Sequence, residues 1–209
     1  HNAARDAKRQ AEDVTLVAVS KVQPDERIEA ALATGHRVYG ENRVQEAQER
    51  WAHRRAQYPD LQLHLIGPLQ TNKAKDAVAL FDVIESVDRE KLARKLADEM
   101  AKQDRQLPCY LQVNTGAEEQ KAGVMPGDEL AALHRLCTDE LKLNIAGLMC
   151  IPPVDEPPAL HFALLADWAK RLGVSGLSMG MSADYELAIR MGATSVRIGS
   201  ALFGEREQR

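Results

Sequence analysis

Val14-Thr15-Leu16-Val17-Ala18-Val19-Ser20-Lys21-Val22-Gln23-Pro24 is the stretch on which the choice between the two large α/β architectures turns. Its apolar, β-branched first half has the pattern of a buried strand, so the residues that follow carry the decision. A doubly wound dinucleotide-binding sheet puts Gly-x-Gly-x-x-Gly directly after its first strand, where bare backbone can approach a pyrophosphate. Ser20-Lys21-Val22-Gln23-Pro24 stands there instead. A closed parallel barrel is the better reading.

Further along the chain, short apolar runs recur at 36–40, 61–66, 83–87, 109–114, 144–149, 176–180 and 195–198. Between them lie helical patterns such as those at 27–34, 44–56, 89–103, 128–137, 158–172 and 183–191, with apolar residues three and four apart. Such alternation means a parallel sheet covered by helices. Eight strand–helix periods in 209 residues give about 26 residues each, at the compact end of a fold that begins at about 200 residues. The expectation is α/β: a single (β/α)8 TIM barrel, one domain over 1–209, with no linker or change of composition dividing it.

Lys and Arg number 27 against 31 Asp and Glu, a net charge of -4, which lacks the basic excess of a phosphate-backbone binder. No apolar run reaches the ~18 residues of a membrane span, and the charged opening 1–13 has no signal-peptide core or cleavage site. Neither nucleic acid nor a membrane is expected as partner. Cys109, Cys137 and Cys150 are odd in number and widely spaced, which suggests neither a disulfide framework nor a zinc knuckle and fits a reducing cytoplasm. The six histidines form no His-Glu-x-x-His, and no Gly-x-Ser-x-Gly elbow occurs, so neither a metal centre nor an acyl-enzyme hydrolase is expected.

In an eight-fold barrel the chemistry sits where strands end. The first strand runs into Lys21, which is either a partly desolvated amine able to attack a carbonyl or a solvated lysine opening a loop. Gly40-Glu41-Asn42 brings polar groups to the mouth, where Asn42 could orient a bound ring or cap the next helix. Asn72 and Lys73 fit a helix start better than a site. The polar loop 114–123 is too long for a tight turn and is expected to be a mobile flap, with Lys121 a second amine near the mouth. Ser178-Met179-Gly180-Met181-Ser182 and Arg197-Ile198-Gly199-Ser200 end the last two strands, the usual place for a phosphate in this fold. Gly180 and Gly199 could equally serve tight turns, but Ser182 and Ser200 beside them favour phosphate. Arg197 either pairs with an acid on the barrel wall or reaches the ligand's ring.

Ala18-Val19-Ser20-Lys21, Tyr39-Gly40-Glu41-Asn42 with Gln45-Glu46, His64-Leu65-Ile66-Gly67 with Gln70 and Asn72-Lys73, Gly147-Leu148-Met149, Ser178-Met179-Gly180-Met181-Ser182 and Val196-Arg197-Ile198-Gly199 occur in that order. Together they closely resemble the pyridoxal phosphate homeostasis proteins (the YggS/PROSC-like family) over about 14–206. The resemblance implies a barrel like the N-terminal domain of alanine racemase (PLP fold type III), with pyridoxal 5'-phosphate (PLP) held as an aldimine on Lys21. It further implies a phosphate site from Ser182, Gly199 and Ser200, and Arg197 facing the pyridine nitrogen. A cationic partner there disfavours protonation of that nitrogen and so weakens carbanion chemistry. The racemases this barrel resembles also use a C-terminal domain for a second acid/base. The expected function is therefore a monomeric cytoplasmic carrier or buffer of PLP for apo-enzymes; the alternative is a weak amino-acid racemase or isomerase with Lys21 as base.

Overall fold

The computed structural model describes residues 1–204; residues 205–209, where the expected domain and the family resemblance end, lie outside the described residues. Eight strands, β1 (Thr15–Val19), β2 (Val38–Glu41), β3 (Gln62–Leu65), β4 (Val83–Val87), β5 (Cys109–Gln112), β6 (Ile145–Met149), β7 (Gly176–Ser178) and β8 (Ser195–Ile198), close into a barrel in chain order. All neighbours are parallel, and β8 returns to β1 with Thr15 opposite Ser195 and Ala18 opposite Ile198. The expected (β/α)8 barrel is the fold observed.

Helices cover the outside: α1 (Asn2–Asp6), α2 (Asp25–Ala33), α3 (Val44–Trp51), α4 (Ala74–Leu80), α5 (Glu90–Lys102), α6 (Asp128–Arg135), α7 (Pro158–Leu172), α8 (Tyr185–Arg190) and α9 (Ser200–Phe203). No described helix is long and apolar enough to cross a membrane. The bounds follow local chemistry. Pro158 opens α7, where a missing N–H costs nothing, and Gly173 closes it with φ 72°. The strand expected over 176–180 stops at Ser178 because Gly180, at φ 96°, turns the chain away. The helix expected over 44–56 breaks after Trp51 into a separate turn at Arg54–Ala56. The helix expected over 128–137 passes into a wide π turn at Leu136–Glu140.

Successive strand residues face opposite sides of the barrel wall. One set, including Ala18, Tyr39, Leu63, Ile84, Leu148 and Val196, joins the apolar faces of the helices in one continuous core. Buried Val17, Val19, Ile66 and Met149 lie outside that core, on the barrel axis. Further inward positions are polar: His64, Glu85, Gln112, Ser178 and Arg197 are all buried. Polar groups in so dry a space require partners, and their partners define the site.

Candidate functional site

The rim begins at the end of β1. Ser20 donates its hydroxyl to Glu41 Oε1 at 2.6 Å, and the same oxygen accepts from Arg50 Nη1 at 2.8 Å and Trp51 Nε1 at 2.9 Å, both on α3. Glu41 thus faces the helix layer. The expectation that it stands at the mouth is corrected, because strand alternation puts Gly40 and Asn42 on the inner side and Glu41 on the outer. By the same alternation Ser20 is turned out and Lys21 in. Val22, immediately after, has φ 61°, a left-handed conformation that a β-branched residue adopts only under constraint. That turn carries the chain sharply off the rim behind Lys21.

Lys21, Asn42, Ser182, Arg197, Gly199 and Ser200, from four separate places in the sequence, all line one cavity of about 450 Å3 at the C-terminal mouth of the barrel. Lys121 lines it too. Asn42 leaves its alternative role unused: Arg43 is the N-cap residue of α3, without a side-chain capping bond. Gly67 sets the approach here, since a Cβ on it would lie 2.2 Å from the Asn42 carbonyl oxygen. Asn72 and Lys73 form a short turn leading into α4 and do not line the cavity.

The loop expected to be a flap is tied to itself. Asn114 brackets Glu118 with its side chain, donating to the carbonyl at 2.7 Å and accepting from the N–H at 3.2 Å, while Val113 and Val124 form a bridge. Lys121 is ion-paired to Glu118 at 2.6 Å.

The two glycines of the expected phosphate loops have different duties. Gly180 serves the turn: its φ is 96°, and a Cβ would meet the Ala188 Cβ at 2.5 Å. Gly199 has φ -112°, and a Cβ there would find ordinary contacts, 3.6 Å to the Val19 carbonyl oxygen. Glycine at 199 leaves room on the cavity wall. The N–H groups of Gly199 and Ala201, at the start of α9, both donate to Ser182 Oγ at a long 3.3 Å. Two backbone donors thus converge on one hydroxyl beside an open glycine. Gln112, on the cavity wall, has a buried amide oxygen with no partner among the described residues.

Arg197 forms part of the cavity floor and is 3% exposed. Its Nη1 donates to Ser178 Oγ and its Nη2 to the Cys150 carbonyl, each at 2.7 Å. Ser178 in turn donates to Glu85 Oε2, and the other oxygen of Glu85 bonds His64 Nδ1 at 2.7 Å. Burial alone would raise the Glu85 carboxyl, but His64, the Arg197 charge and the Ser178 hydroxyl outweigh it and hold it below the ordinary carboxylate range. An acid does stand behind Arg197 on the wall, one hydroxyl away. Neither Glu85 nor His64 was read as a site residue. The signal is the charge inside Val83-Ile84-Glu85-Ser86-Val87, where a register shift between Ile84 and Val87 leaves both of these apolar residues in the outer core.

Comparison with known proteins gives this geometry its family. The model of the alanine racemase N-terminal domain matches residues 1–207. A "Pyridoxal phosphate homeostasis protein" of Pseudomonas aeruginosa is 42% identical over 98% of this chain and 90% of its own length, and that of Vibrio cholerae is 40% identical over 93% and 86%. PipY of Synechococcus elongatus, solved without PLP, superposes with a TM-score of 0.87 at 39% identity, covering 96% of this chain and 97% of that one. Its PLP-bound structure gives 0.83. An alanine racemase of Clostridium difficile shares the fold, at 16% identity and a TM-score of 0.75, with 99% of this chain on 56% of the racemase. With so nearly complete a match, this chain belongs to the alanine racemase N-terminal domain family, among its pyridoxal phosphate homeostasis proteins.

Proposed function

We propose that this protein binds PLP through the cavity at the barrel mouth and serves PLP homeostasis, holding the cofactor and releasing it to apo-enzymes. The observation that carries the reading is the convergence of an amine, a hydroxyl with two backbone N–H groups and a buried guanidinium on one cavity of about 450 Å3, a size suited to a small ligand. Close relatives are named for PLP homeostasis, and PipY has been solved with PLP bound.

Lys21 is the amine for the ligand's aldehyde. Ser182, Gly199 and Ser200 take its phosphate, with the Gly199 and Ala201 N–H groups as donors. Asn42 orients the ring from the β2 side, and Arg197 faces the ring nitrogen. Bound PLP supplies a reactive aldehyde and a pyridine that becomes an electron sink once its nitrogen is protonated. Arg197 is always charged and shielded from water, so it opposes a second positive charge beside it. That favours custody of the aldehyde over amino-acid chemistry. The single domain over 1–209, the monomeric state and the cytoplasmic setting belong to the same reading.

Borohydride reduction of PLP-loaded protein followed by peptide mapping tests it. Label is expected on the Lys21 peptide, and Lys21→Ala is expected to lose both label and the bound-cofactor absorbance band. Incubated with L-amino acids in deuterated water, the loaded protein should show no α-carbon exchange, while passing PLP to an apo-acceptor. Label elsewhere would displace Lys21, and rapid exchange would favour the racemase. Sedimentation equilibrium checks the monomer.

A further inference from the structure

The acid buried behind the cavity floor has no place in the binding contacts above. Glu85 is wholly buried at an inward position of β4, where an apolar side chain of similar size would pack without desolvating a charge. Its two oxygens are divided between His64 and Ser178. Arg197 has only donors, so Ser178, which accepts from it at 2.7 Å, must turn its single proton toward Glu85. The direction of this chain of bonds is therefore fixed by the acceptor at 85. On its other side the guanidinium is held by the Cys150 carbonyl.

We propose that Glu85 is the positioning residue of Arg197: acting through Ser178, it locks the rotation of the guanidinium and supplies its countercharge, so that one edge is presented to the cavity in a single orientation. The inference rests on the reading that Arg197 faces the ring nitrogen of bound PLP. Two variants separate charge from linkage. Glu85→Gln keeps volume and a bonding oxygen while removing the charge. Ser178→Ala keeps the charge and cuts the link.

The test has one readout without ligand and one with it. In 15N–1H spectra of the PLP-free protein, the guanidinium signals of Arg197 should be resolved by restricted rotation, and they should average in Ser178→Ala. With PLP, both variants should shift the bound-cofactor absorbance band and weaken binding about tenfold, the weight of one hydrogen bond to a charged group. In an Arg197→Ala background neither should change anything further, because the effect runs through Arg197. Thermal melts establish that each variant is folded. Unchanged Arg197 signals and an unchanged band in folded variants would overturn the proposal, as would an equal effect without Arg197. If the guanidinium signals respond but the wild type binds no PLP, the positioning stands and the functional reading falls.

Discussion

Replacing Glu41 by alanine tests how the helix layer holds the rim where Lys21 stands. Three donors, from Ser20 just after β1 and from α3, converge on one oxygen of a carboxylate with no solvent exposure, and Arg50 is itself only 16% exposed. Removing the acceptor leaves a half-buried cation and two neutral donors without it, and breaking a fully buried ion pair in this way costs about 3–5 kcal/mol. The other oxygen of Glu41 is buried without a partner among the described residues, so the native arrangement already carries an uncompensated desolvation. The lower end, about 3 kcal/mol, is expected. For a chain of this length that is a fall in melting temperature of roughly 6–12 °C. Glu41→Gln keeps an acceptor and should lose about a third as much. Ser20 adjoins Lys21, so PLP affinity should weaken in parallel. Differential scanning calorimetry with a PLP titration measures both. A drop of less than about 2 °C in Glu41→Ala would show that the buried carboxylate contributes nothing net and that β1 needs no tie to α3.

Gly180→Ala and Gly199→Ala should separate folding from binding. The first forces φ 96° and a 2.5 Å approach to Ala188 and should cost about 2–4 kcal/mol in urea unfolding; the second should leave stability within about 0.5 kcal/mol yet weaken PLP binding about tenfold by filling the room left on the cavity wall. Glu85 holds its proton less tightly folded than unfolded. Its stabilising effect is therefore complete above the unfolded value of about 4.3 and lost as pH falls through the lower folded value, so Glu85→Gln should flatten the acid limb of a melting-temperature profile. Burial pushes the thiols of Cys109, Cys137 and Cys150 up to about 12, so none should react with an aromatic disulfide reagent at pH 8 until the chain is unfolded, when all three should.

Most of the architecture was legible because its signals are local. β4 and β8 have the bounds expected, and α7 matches residue for residue, since Pro158 and Gly173 punctuate it. Strand ends that moved did so for backbone reasons not written in hydropathy: Gly180 turns the chain two residues earlier than the apolar run suggests. The cavity residues could be found because an eight-fold barrel converts position after a strand into position at the mouth.

By itself, then, the sequence determined the order of strands and helices, the closed barrel they imply, and six residues that meet at its mouth, because period and strand-end position are properties of neighbouring residues. Which way each polar group points was decided only by the tertiary structure. Glu41, expected at the mouth, is held by Ser20, Arg50 and Trp51 in the helix layer. Glu85, unremarked in an apolar strand, faces the barrel axis by alternation with Ile84. There it meets His64, 21 residues before it, and Ser178, 93 residues after it. A buried charge is tolerated only beside partners that satisfy it, and partners so distant in the chain become neighbours only when the barrel closes.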